Sequence, residues 1–445
     1  MKRIITLLLL SAALLPVGAR ERYGTGLDSL GSREPAYTIF TAVGEDASHQ
    51  ASISWAGAPG AAGQFVSYTT ADDTAFTHAR TAAPGTVVRC NVYDSIFSKL
   101  ADNTDVYERH VFDKYGVTLS GLQPSTDYIY TVSAPAADGS LWTSAPRRFR
   151  TAPGPDSSWH AAVIGDYHHY SPLWSRIDHA MGMINTLDSV AGGVDWILST
   201  GDQCAWGGSY NYWTELSEQP EYKNYMWAPV QGNHDHMNRQ NGRTDDYFRY
   251  AWHLPGNGYD GQKGVCYWFR YGDVLFLMLN NEAMRNKETL DKAREWIEQV
   301  VKANPSRYIV AVEHYEWIIA TDGSNSQLER FADLFTCLGV DLAIAGNNHA
   351  YLRTFPLNNT SVAAPGQPST VYVVASSSDN GRGRALKDLV GHQDVIDRRW
   401  SEGPHTVGGL ILDVNPERMI LTLHDRTGAP VDSATIPAAR GSETR

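Results

Sequence analysis

Short polar clusters at the ends of apolar runs constrain this sequence more than any other feature. Five such clusters occur in the C-terminal two thirds of the chain. In order they are Asp166-Tyr167-His168, Gly201-Asp202, Gly232-Asn233-His234-Asp235, Glu313-His314-Tyr315 and Gly346-Asn347-Asn348-His349. Short apolar runs that end in Gly or Asp are typical of buried strands. Because α/β sheets build their sites at the carboxyl ends of strands, the clusters predict one shared site.

The residue types in these clusters predict that the site binds metal. Asp, Asn and His supply oxygen and imidazole ligands for hard or borderline metal ions. Asp202 alone would be explained as a turn or a helix cap, but five clusters in order predict a two-metal site with Asp202 as the bridging carboxylate. Asp166 and His168 are two residues apart, so in extended chain both point to one side. The later clusters add the candidate ligands Asn233, His314 and His349.

Length and composition limit the classes of protein to which the chain can belong. A chain of 445 residues exceeds one ordinary domain, so we expect two. Hydrophobic residues make up 42% and charged residues 19%, which is typical of a globular protein. The formal net charge of −12 argues against a nucleic-acid-binding surface or an anionic membrane partner, since both need a basic face. Oligomeric state and disulfide pairing stay open.

The first 19 residues have the pattern of a secretory signal peptide. A basic start at Lys2 and Arg3 precedes an apolar run from Ile4 to Leu15, and a small-residue cleavage site ends at Ala19. The apolar run is shorter than the roughly 20 residues that span a bilayer. We therefore expect export to the periplasm or the medium, with cleavage near Ala19 and no transmembrane span.

Residues 35–152 have an all-β texture, and a Pro/Gly/Ser linker follows at 153–158. Alternating runs predict strands at Ala51–Trp55, Gln64–Thr69, Val106–Leu119, Thr126–Ala134 and Pro146–Thr151. The string from Leu122 to Tyr130, with a Leu-x-Pro turn before a Tyr-bearing strand, resembles the fibronectin type III pattern. These runs predict a β-sandwich of roughly 100 residues.

Residues 159–436 alternate between strand and helix patterns, which predicts an α/β layer fold. Helical periodicity covers Asp178–Val190, Glu288–Asn304 and Gln327–Leu338. Late strands are predicted at Thr370–Ala375, Gly408–Val414 and Met419–His424, and we expect the sheet to finish in antiparallel fashion.

The ordered motifs Asp-x-His, Gly-Asp, Gly-Asn-His-Asp, His and Gly-x-x-His resemble the calcineurin-like metallophosphoesterase superfamily. With a β-sandwich in front, the chain is similar to the purple acid phosphatase branch, over roughly residues 35–435. The resemblance implies a four-layer α/β/β/α catalytic domain. It also implies two divalent or trivalent metal ions (Fe, Mn, Zn or Mg) and hydrolysis of a small phosphorylated substrate by a metal-bridging hydroxide.

The resemblance implies a role for each matching position. The first metal ion would be held by Asp166, His168, Asp202 and His349. The second would be held by Asp202, Asn233, His314 and Asn347. The catalytic residues would be His234, which contacts the phosphate and protonates the leaving group, Asp235, which orients that imidazole, and Arg353, which matches an arginine after the last ligands.

Two positions depart from the family pattern. Purple enzymes carry a Tyr three residues after the bridging Asp, and here that residue is Ala205. We therefore expect no Tyr-to-iron bond and no purple colour, with His168 completing the ligand count. The usual Gly-His-x-His is Gly346-Asn347-Asn348-His349. Because an amide oxygen is a weaker ligand than imidazole for Zn or Fe, the second site should bind metal less tightly.

Several features have two interpretations. The aromatic residues between Trp206 and Trp227 either line a pocket that favours an organic leaving group or pack a long loop. The arginines and lysine between Arg382 and Arg399 fit a solvated loop better than phosphate capture. Arg353 either acts near the site or pairs with buried carboxylates, and His169 is expected to be a bystander.

The leading hypothesis is an exported metallophosphoesterase that hydrolyses phosphomonoesters. A phosphodiesterase or nucleotide hydrolase acting through the same site is one alternative. The other is a metal-impaired relative that binds phosphorylated or glycan ligands without turnover, for which Asn347 is the motive.

Overall fold

The computed structural model describes residues 34–96, 106–170, 175–237, 246–284, 286–319, 327–389 and 391–436. The predicted signal peptide at residues 1–19 lies outside these ranges. Within them, no helix combines the length and the apolar character needed to cross a bilayer. The four cysteines Cys90, Cys204, Cys266 and Cys337 are free.

Nine strands fill the N-terminal third, and they include all five that the sequence predicts. They are β1 (Ala36–Val43), β2 (Gln50–Gly57), β3 (Phe65–Thr70), β4 (Arg80–Ala82), β5 (Thr86–Ile96), β6 (Val106–Ser120), β7 (Asp127–Pro135), β8 (Leu141–Thr143) and β9 (Arg147–Arg150). Tyr128 lies near the start of β7, and its hydroxyl oxygen accepts a hydrogen bond from Gln123 N–H at 2.9 Å.

The C-terminal two thirds alternate strands with helices. The strands are β10 (Trp159–Ile164), β11 (Trp196–Ser199), β12 (Met226–Pro229), β13 (Tyr267–Tyr271), β14 (Val274–Met278), β15 (Tyr308–Val312), β16 (Leu342–Ala345), β17 (Tyr351–Thr354), β18 (Leu357–Asn358), β19 (Ser361–Val362), β20 (Val371–Val374), β21 (Ile396–Trp400), β22 (Gly408–Val414), β23 (Met419–Asp425) and β24 (Pro430–Ile436). The α-helices are Ser175–Ala191, Tyr210–Ser217, Pro220–Asn224, Asn233–His236, Tyr247–Ala251, Lys287–Ala303 and Leu328–Leu338, with 3-10 turns at Asn281–Met284, Leu386–Asp388 and Gly403–His405. This mixture confirms the predicted α/β class.

One ten-stranded sheet contains strands from both the N-terminal third and the C-terminal two thirds of the chain. Its order is β24-β23-β22-β10-β11-β12-β1-β2-β6-β5. Strands β10, β11 and β12 are parallel, and β22 to β24 finish the sheet in antiparallel fashion. One contact across the predicted linker is the parallel pairing of β1 with β12, where Ala42 lies opposite Trp227. The same sheet contains strands from both sides of the predicted linker, so the division into domains 35–152 and 159–436 stays a prediction. The fibronectin type III likeness of the first domain also stays a prediction.

A seven-stranded sheet of order β13-β14-β15-β16-β20-β17-β21 lies against the first. The two sheets share an aromatic core in which the ring of Trp196 stacks on that of Tyr271, with centroids 4.8 Å apart. On β14, Val274 and Phe276 join this core, while Leu275 and Leu277 join a separate core on the opposite face. Successive strand residues point to opposite faces, so both faces of the sheet are buried.

Helices cover the outer faces of both sheets. Leu187 and Met183 of helix Ser175–Ala191 pack close to Gly409 of β22, on the ten-stranded sheet. Helices Lys287–Ala303 and Leu328–Leu338 contribute buried residues such as Ile297 and Phe331 to the outer core of the second sheet. Four layers result, with the carboxyl ends of the central parallel strands at a common edge.

A buried lysine and a histidine connect β6 to the segment after helix Tyr247–Ala251. Lys114 Nζ donates hydrogen bonds to the carbonyls of Arg249, at 2.9 Å, and Trp252. His253 lies close by, with Nε2 3.3 Å from Thr118 Oγ1. Burial and, to a lesser extent, the charge of Lys114 lower the pKa of His253 to about 3. The folded protein therefore excludes a proton that the unfolded chain binds.

We expect His253→Gln to flatten the acid side of the stability profile. As pH falls below the unfolded histidine pKa of about 6.5, the unfolded state takes up the proton first and the folded state loses stability down to about pH 3. Between pH 7 and pH 5 this contributes about 2 kcal/mol to the loss in the wild type, which the variant lacks. Urea unfolding at both pH values measures the difference. The exposed His405→Gln should keep the wild-type profile, and equal profiles for all three proteins would refute the assignment.

Candidate metal centre

Five strand ends bring the polar clusters to one place. The clusters follow β10, β11 and β12 of the first sheet and β15 and β16 of the second. Backbone hydrogen bonds tie the loops together: Asp166 N–H donates to Gly201 O at 3.0 Å, and His168 N–H donates to Asp202 O at 2.9 Å. Gly346 N–H donates to His314 O at 2.9 Å. The parallel strands of both sheets end at this edge, so the clusters converge.

Carboxylates and imidazoles face one another at the centre. Asp202 Oδ2 lies 3.0 Å from His168 Nε2 and 3.3 Å from His314 Nε2. Asp166 Oδ1 lies 3.4 Å from His349 Nε2, and Asn233 Oδ1 lies 3.1 Å from His314 Nε2. Groups of ligand atoms within 4.8 Å of one another include Asp166 with His168 and His349, Asp166 with Asp202 and His314, and His168 with Asp202 and His234. Asp202 thus contacts residues predicted for both sites.

Three imidazoles are held by their outer nitrogen. The Nδ1 atoms of His234, His314 and His349 lie 2.7, 2.8 and 2.9 Å from the carbonyl oxygens of Ala205, Thr200 and Arg382, respectively. A carbonyl only accepts hydrogen bonds, so Nδ1 carries the proton. In the neutral form of each ring this leaves Nε2 with an inward-facing lone pair, the arrangement found in metal-binding histidines.

A buried carboxylate missing from the predicted set faces the fourth imidazole. His168 Nδ1 lies 3.5 Å from Asp379 Oδ2. The other carboxylate oxygen, Asp379 Oδ1, accepts the backbone N–H groups of Gly381 and Arg382, each at 3.0 Å. Asp379 could have been found from the sequence, since it belongs to a sixth polar cluster that follows the apolar run of β20.

The backbone at the site is unusual. Five predicted ligands have positive φ angles: Asp166 (53°), His168 (44°), Asp202 (52°), Asn347 (68°) and His349 (56°). Asp, Asn and His are the non-glycine residues most enriched in this region, yet each such residue costs of order 1–3 kcal/mol. Such conformations persist where the surrounding structure enforces them, and they cluster at functional sites.

Glycines allow the carboxylates to approach the backbone. A Cβ atom on Gly232 would lie 2.1 Å from Asp202 Oδ1, and one on Gly346 would lie 2.6 Å from Asp166 Oδ2. Neither distance is possible for real atoms, so any side chain at these positions would displace a predicted ligand. Steric exclusion therefore explains why Gly-Asn-His-Asp and Gly-x-x-His each begin with glycine.

The electrostatics of the site favour a bound cation. Burial raises the pKa of Asp202, but the positive charge of His314 and the hydrogen bonds from His168 and His314 outweigh it and hold that pKa well below its usual range. Burial lowers the pKa of His314, but Asp202 outweighs it and raises that pKa to about 10. Burial lowers the pKa of His234 to about 4, and burial with the charge of Asp202 raises that of Asp235 to about 7. Asp202 is thus a buried anion whose surroundings stabilise positive charge.

Two contacts assigned from the sequence are wrong. Asp235 does not orient the imidazole of His234, because its carboxylate accepts the N–H groups of Cys204, at 3.0 Å, and Gly232, at 2.9 Å. The carbonyl of Ala205 takes the place next to His234 Nδ1. Arg353 does not reach the centre, because its guanidinium forms ion pairs with Asp432 and Asp397, each at 2.7 Å.

Asn347 is held on both of its nitrogens. Its backbone N–H lies 3.1 and 3.0 Å from the two carboxylate oxygens of Asp166. Its side-chain Nδ2 donates a hydrogen bond to Glu316, which is buried. An amide nitrogen has no lone pair for a metal ion, so this contact leaves Oδ1 as the atom of Asn347 that can serve as a ligand.

The aromatic stretch is mainly packing. Most of its residues are fully buried in the core: Tyr210, Tyr212, Trp213, Tyr222 and Trp227. Trp206 is partly exposed, and its ring centroid lies 5.3 Å from that of His234. His169 binds Glu215, with Nε2 2.6 Å from the carboxylate.

The residues present fit a pair of metal ions. Their donor set combines two carboxylates, amide oxygens and inward-facing imidazole nitrogens, which suits Zn, Fe or Mn. Among the buried polar atoms, His168 Nδ1 and Asp379 Oδ2 have no hydrogen-bond partner within the described ranges. Metal-binding histidines commonly have an outer carboxylate of this kind.

Comparison with known proteins gives the same picture. Residues 160–351 match the family model described as calcineurin-like phosphoesterase. Two curated relatives, both uncharacterized proteins of Mycobacterium tuberculosis strains, are 23% identical over 320 residues, which is 63% of this chain. The aligned part of the chain spans 57% of the length of those relatives.

Two solved structures are similar in fold. One is a purple acid phosphatase from seeds of yellow lupin (Lupinus luteus), with a TM-score of 0.70 and 16% identity, covering 90% of this chain and 74% of that one. The other is PhoD, with a TM-score of 0.54 and 13% identity, covering 91% of this chain and 93% of that one. The fold expected from the sequence motifs is thereby confirmed.

Proposed function

Because residues 160–351 match the family model of calcineurin-like phosphoesterases, we propose that this protein is an exported, metal-dependent hydrolase of phosphomonoesters. The substrate class is taken from the lupin relative, which is a purple acid phosphatase. Export is inferred from the signal-peptide pattern of residues 1–19.

One observation carries the proposal. Four imidazoles and two buried carboxylates converge on one centre, and three of the imidazoles present Nε2 inward because Nδ1 donates to a carbonyl. Asp166, His168, Asp202 and His349 would hold one metal ion. Asp202, Asn233, His314 and Asn347 would hold the other. The chemistry that two such ions supply is activation of water as hydroxide and neutralisation of charge on the phosphoryl oxygens.

The chain's own residues position the substrate and move a proton. His234 lies half-buried beside the centre, with its ring 4.9 Å from that of His168. With Nδ1–H held by Ala205, a proton carried on Nε2 would pass to the oxygen of the leaving alcohol. The absence of tyrosine at Ala205 supports a colourless rather than a purple enzyme.

Turnover of two chromogenic substrates tests the proposal. Purified protein, loaded in turn with Mn²⁺, Zn²⁺, Mg²⁺ or Fe²⁺, is assayed with p-nitrophenyl phosphate and bis-p-nitrophenyl phosphate. We expect hydrolysis of the monoester to exceed that of the diester. Preference for the diester would favour the phosphodiesterase alternative. Turnover of neither substrate with any metal, together with tight binding of phosphorylated ligands, would support the non-catalytic alternative.

We expect Asn347→His to bind the second metal ion more tightly. An imidazole replaces a weaker amide ligand, and histidine tolerates the left-handed backbone found at this position. Affinity for Zn²⁺ should rise by about tenfold or more at one site only. Calorimetric titration of metal-free protein measures both sites. Asn348→His, one residue away at a buried amide bound to the carbonyl of Ile319, is the control. An unchanged second affinity would refute the weak-ligand explanation.

A further inference from the structure

The four imidazoles of the candidate centre differ in what lies against their outer nitrogen. Three of them lie against backbone carbonyls, which are neutral. His168 lies instead against a carboxylate, with Nδ1 3.5 Å from Oδ2 of Asp379. Its inner nitrogen, Nε2, lies 3.0 Å from Asp202 Oδ2. Of these four rings, His168 is therefore the one that faces a carboxylate through each nitrogen.

Asp379 is held in place by the loop that follows β20. We define this loop as residues 376–382. Asp379 Oδ1 accepts two backbone N–H groups of the loop, each at 3.0 Å, and lies 3.3 Å from the hydroxyl oxygen of Ser377. That hydroxyl donates a hydrogen bond to the carbonyl of Asp166 at 2.9 Å, which ties the loop to a predicted ligand. The loop therefore fixes Oδ1 and leaves Oδ2 to face the imidazole.

Burial makes this facing pair informative. The side chains of His168 and Asp379 are both fully buried. Nδ1 of the one and Oδ2 of the other have no hydrogen-bond partner among the residues that the structure describes. A buried carboxylate oxygen without a partner costs free energy, so its presence needs a reason. A hydrogen bond requires about 2.7–3.2 Å, and a small approach of the two atoms would form one.

We propose that Asp379 is a positioning residue that keeps a proton on Nδ1 of His168 and thereby strengthens the first metal site. This inference rests on the metal centre of the proposed function. A carboxylate only accepts hydrogen bonds, so the ring pairs with it through Nδ1–H and keeps the lone pair of Nε2 for the metal ion. The negative charge of the carboxylate also makes that lone pair more basic than a neutral carbonyl would. We therefore expect the first site to fill before the second.

The substitution Asp379→Asn separates this role from support of the loop. Asparagine keeps an oxygen for the two backbone N–H groups and places an N–H donor opposite Nδ1. Since two donors cannot pair, the affinity of the first site for Zn²⁺ should fall by about 10–100-fold, while that of the second site changes little. Calorimetric titration of the metal-free full chain measures both affinities. The first site is the one whose affinity falls in His349→Ala.

A spectroscopic signature distinguishes positioning from structural support. The protein is labelled with ¹⁵N-histidine and loaded with Zn²⁺, and the Nδ1–H proton of His168 is identified by its absence in His168→Gln. In the wild type this proton should resonate at low field, as expected of a charge-assisted hydrogen bond. In Asp379→Asn it should move to higher field or be lost by exchange. Weaker metal binding with this resonance unchanged would overturn the inference.

The matched control is Asp341→Asn. Asp341 is also buried and accepts the backbone N–H of Ile309 at 2.8 Å, but it lies just before the amino end of β16, away from the centre. Both metal affinities should stay within about twofold of wild type, because distant sites act independently. Equal first-site affinity in wild type and Asp379→Asn would overturn the inference even if the enzyme is active.

The inference and the proposed function fail in different ways. A wild type that binds two metal ions but hydrolyses neither ester would overturn the proposed function and leave the role of Asp379 standing. A wild type that binds no metal ion would overturn both.

Discussion

Replacing Asp202 with alanine is expected to lower phosphomonoester turnover by about 10³-fold or more and to weaken metal binding at both sites. Asp202 is buried, and its carboxylate contacts both His168 of the first predicted site and His314 of the second. Its Oδ1 also accepts the N–H of His234 at 2.9 Å. A single truncation therefore removes charge from both sites and a support from the catalytic imidazole.

Metal content and turnover of Asp202→Ala should be measured together. His349→Ala should weaken the first site alone, because His349 contacts Asp166 but not Asp202 in the described structure. Asp260→Ala removes a carboxylate that is 99% exposed and should match the wild type. Full turnover, or retention of both metal ions, in Asp202→Ala would refute its bridging position. Circular dichroism and thermal unfolding establish that each variant is folded.

The second large effect is expected from His234→Asn, which should reduce kcat by about 10²–10⁴-fold while metal content stays at the wild-type level. The imidazole lies beside the centre, held by Ala205 through Nδ1. If Nε2 protonates the leaving oxygen, the size of the loss in kcat should depend on how readily the alcohol leaves without a proton. An alkyl phosphate needs that proton, whereas p-nitrophenolate leaves without it.

Comparing substrates separates proton transfer from simple support of the site. The loss in His234→Asn should be greater for an alkyl phosphate than for p-nitrophenyl phosphate. An equal loss for both would mean that His234 binds the phosphoryl group without donating a proton. Loss of a metal ion in the variant would mean that His234 supports the ligands instead. The matched control is His169→Asn, which removes an imidazole paired with Glu215.

Local pattern predicted the strands that carry the candidate site and part of the rest of the fold. The runs before the five clusters all form strands, and the three predicted helices occur within a few residues of their expected bounds. Strand β1 is one of several described strands that the patterns missed; it lies between β12 and β2 in the middle of a sheet and is buried on both faces. Such a strand shows no alternation of polar and apolar residues, which is the signal that a half-buried strand leaves in a sequence.

The sequence by itself predicted which ligand candidates meet at the candidate metal centre, because each follows a strand and parallel strands end at one edge of a sheet. Tertiary structure alone decided the outer contacts. Asp379 and Arg382 contact His168 and His349 from a loop thirty or more residues after the last motif, while Arg353 is held away from the centre by Asp432, a residue 79 positions further along the chain. The ends of strands can be read from the local periodicity of the sequence. Hydrogen bonds between distant loops depend on which loops lie close together in the folded protein, and the pattern at a strand end does not encode that proximity. The five clusters therefore predict a phosphoesterase centre, and the fold decides how its imidazoles are held.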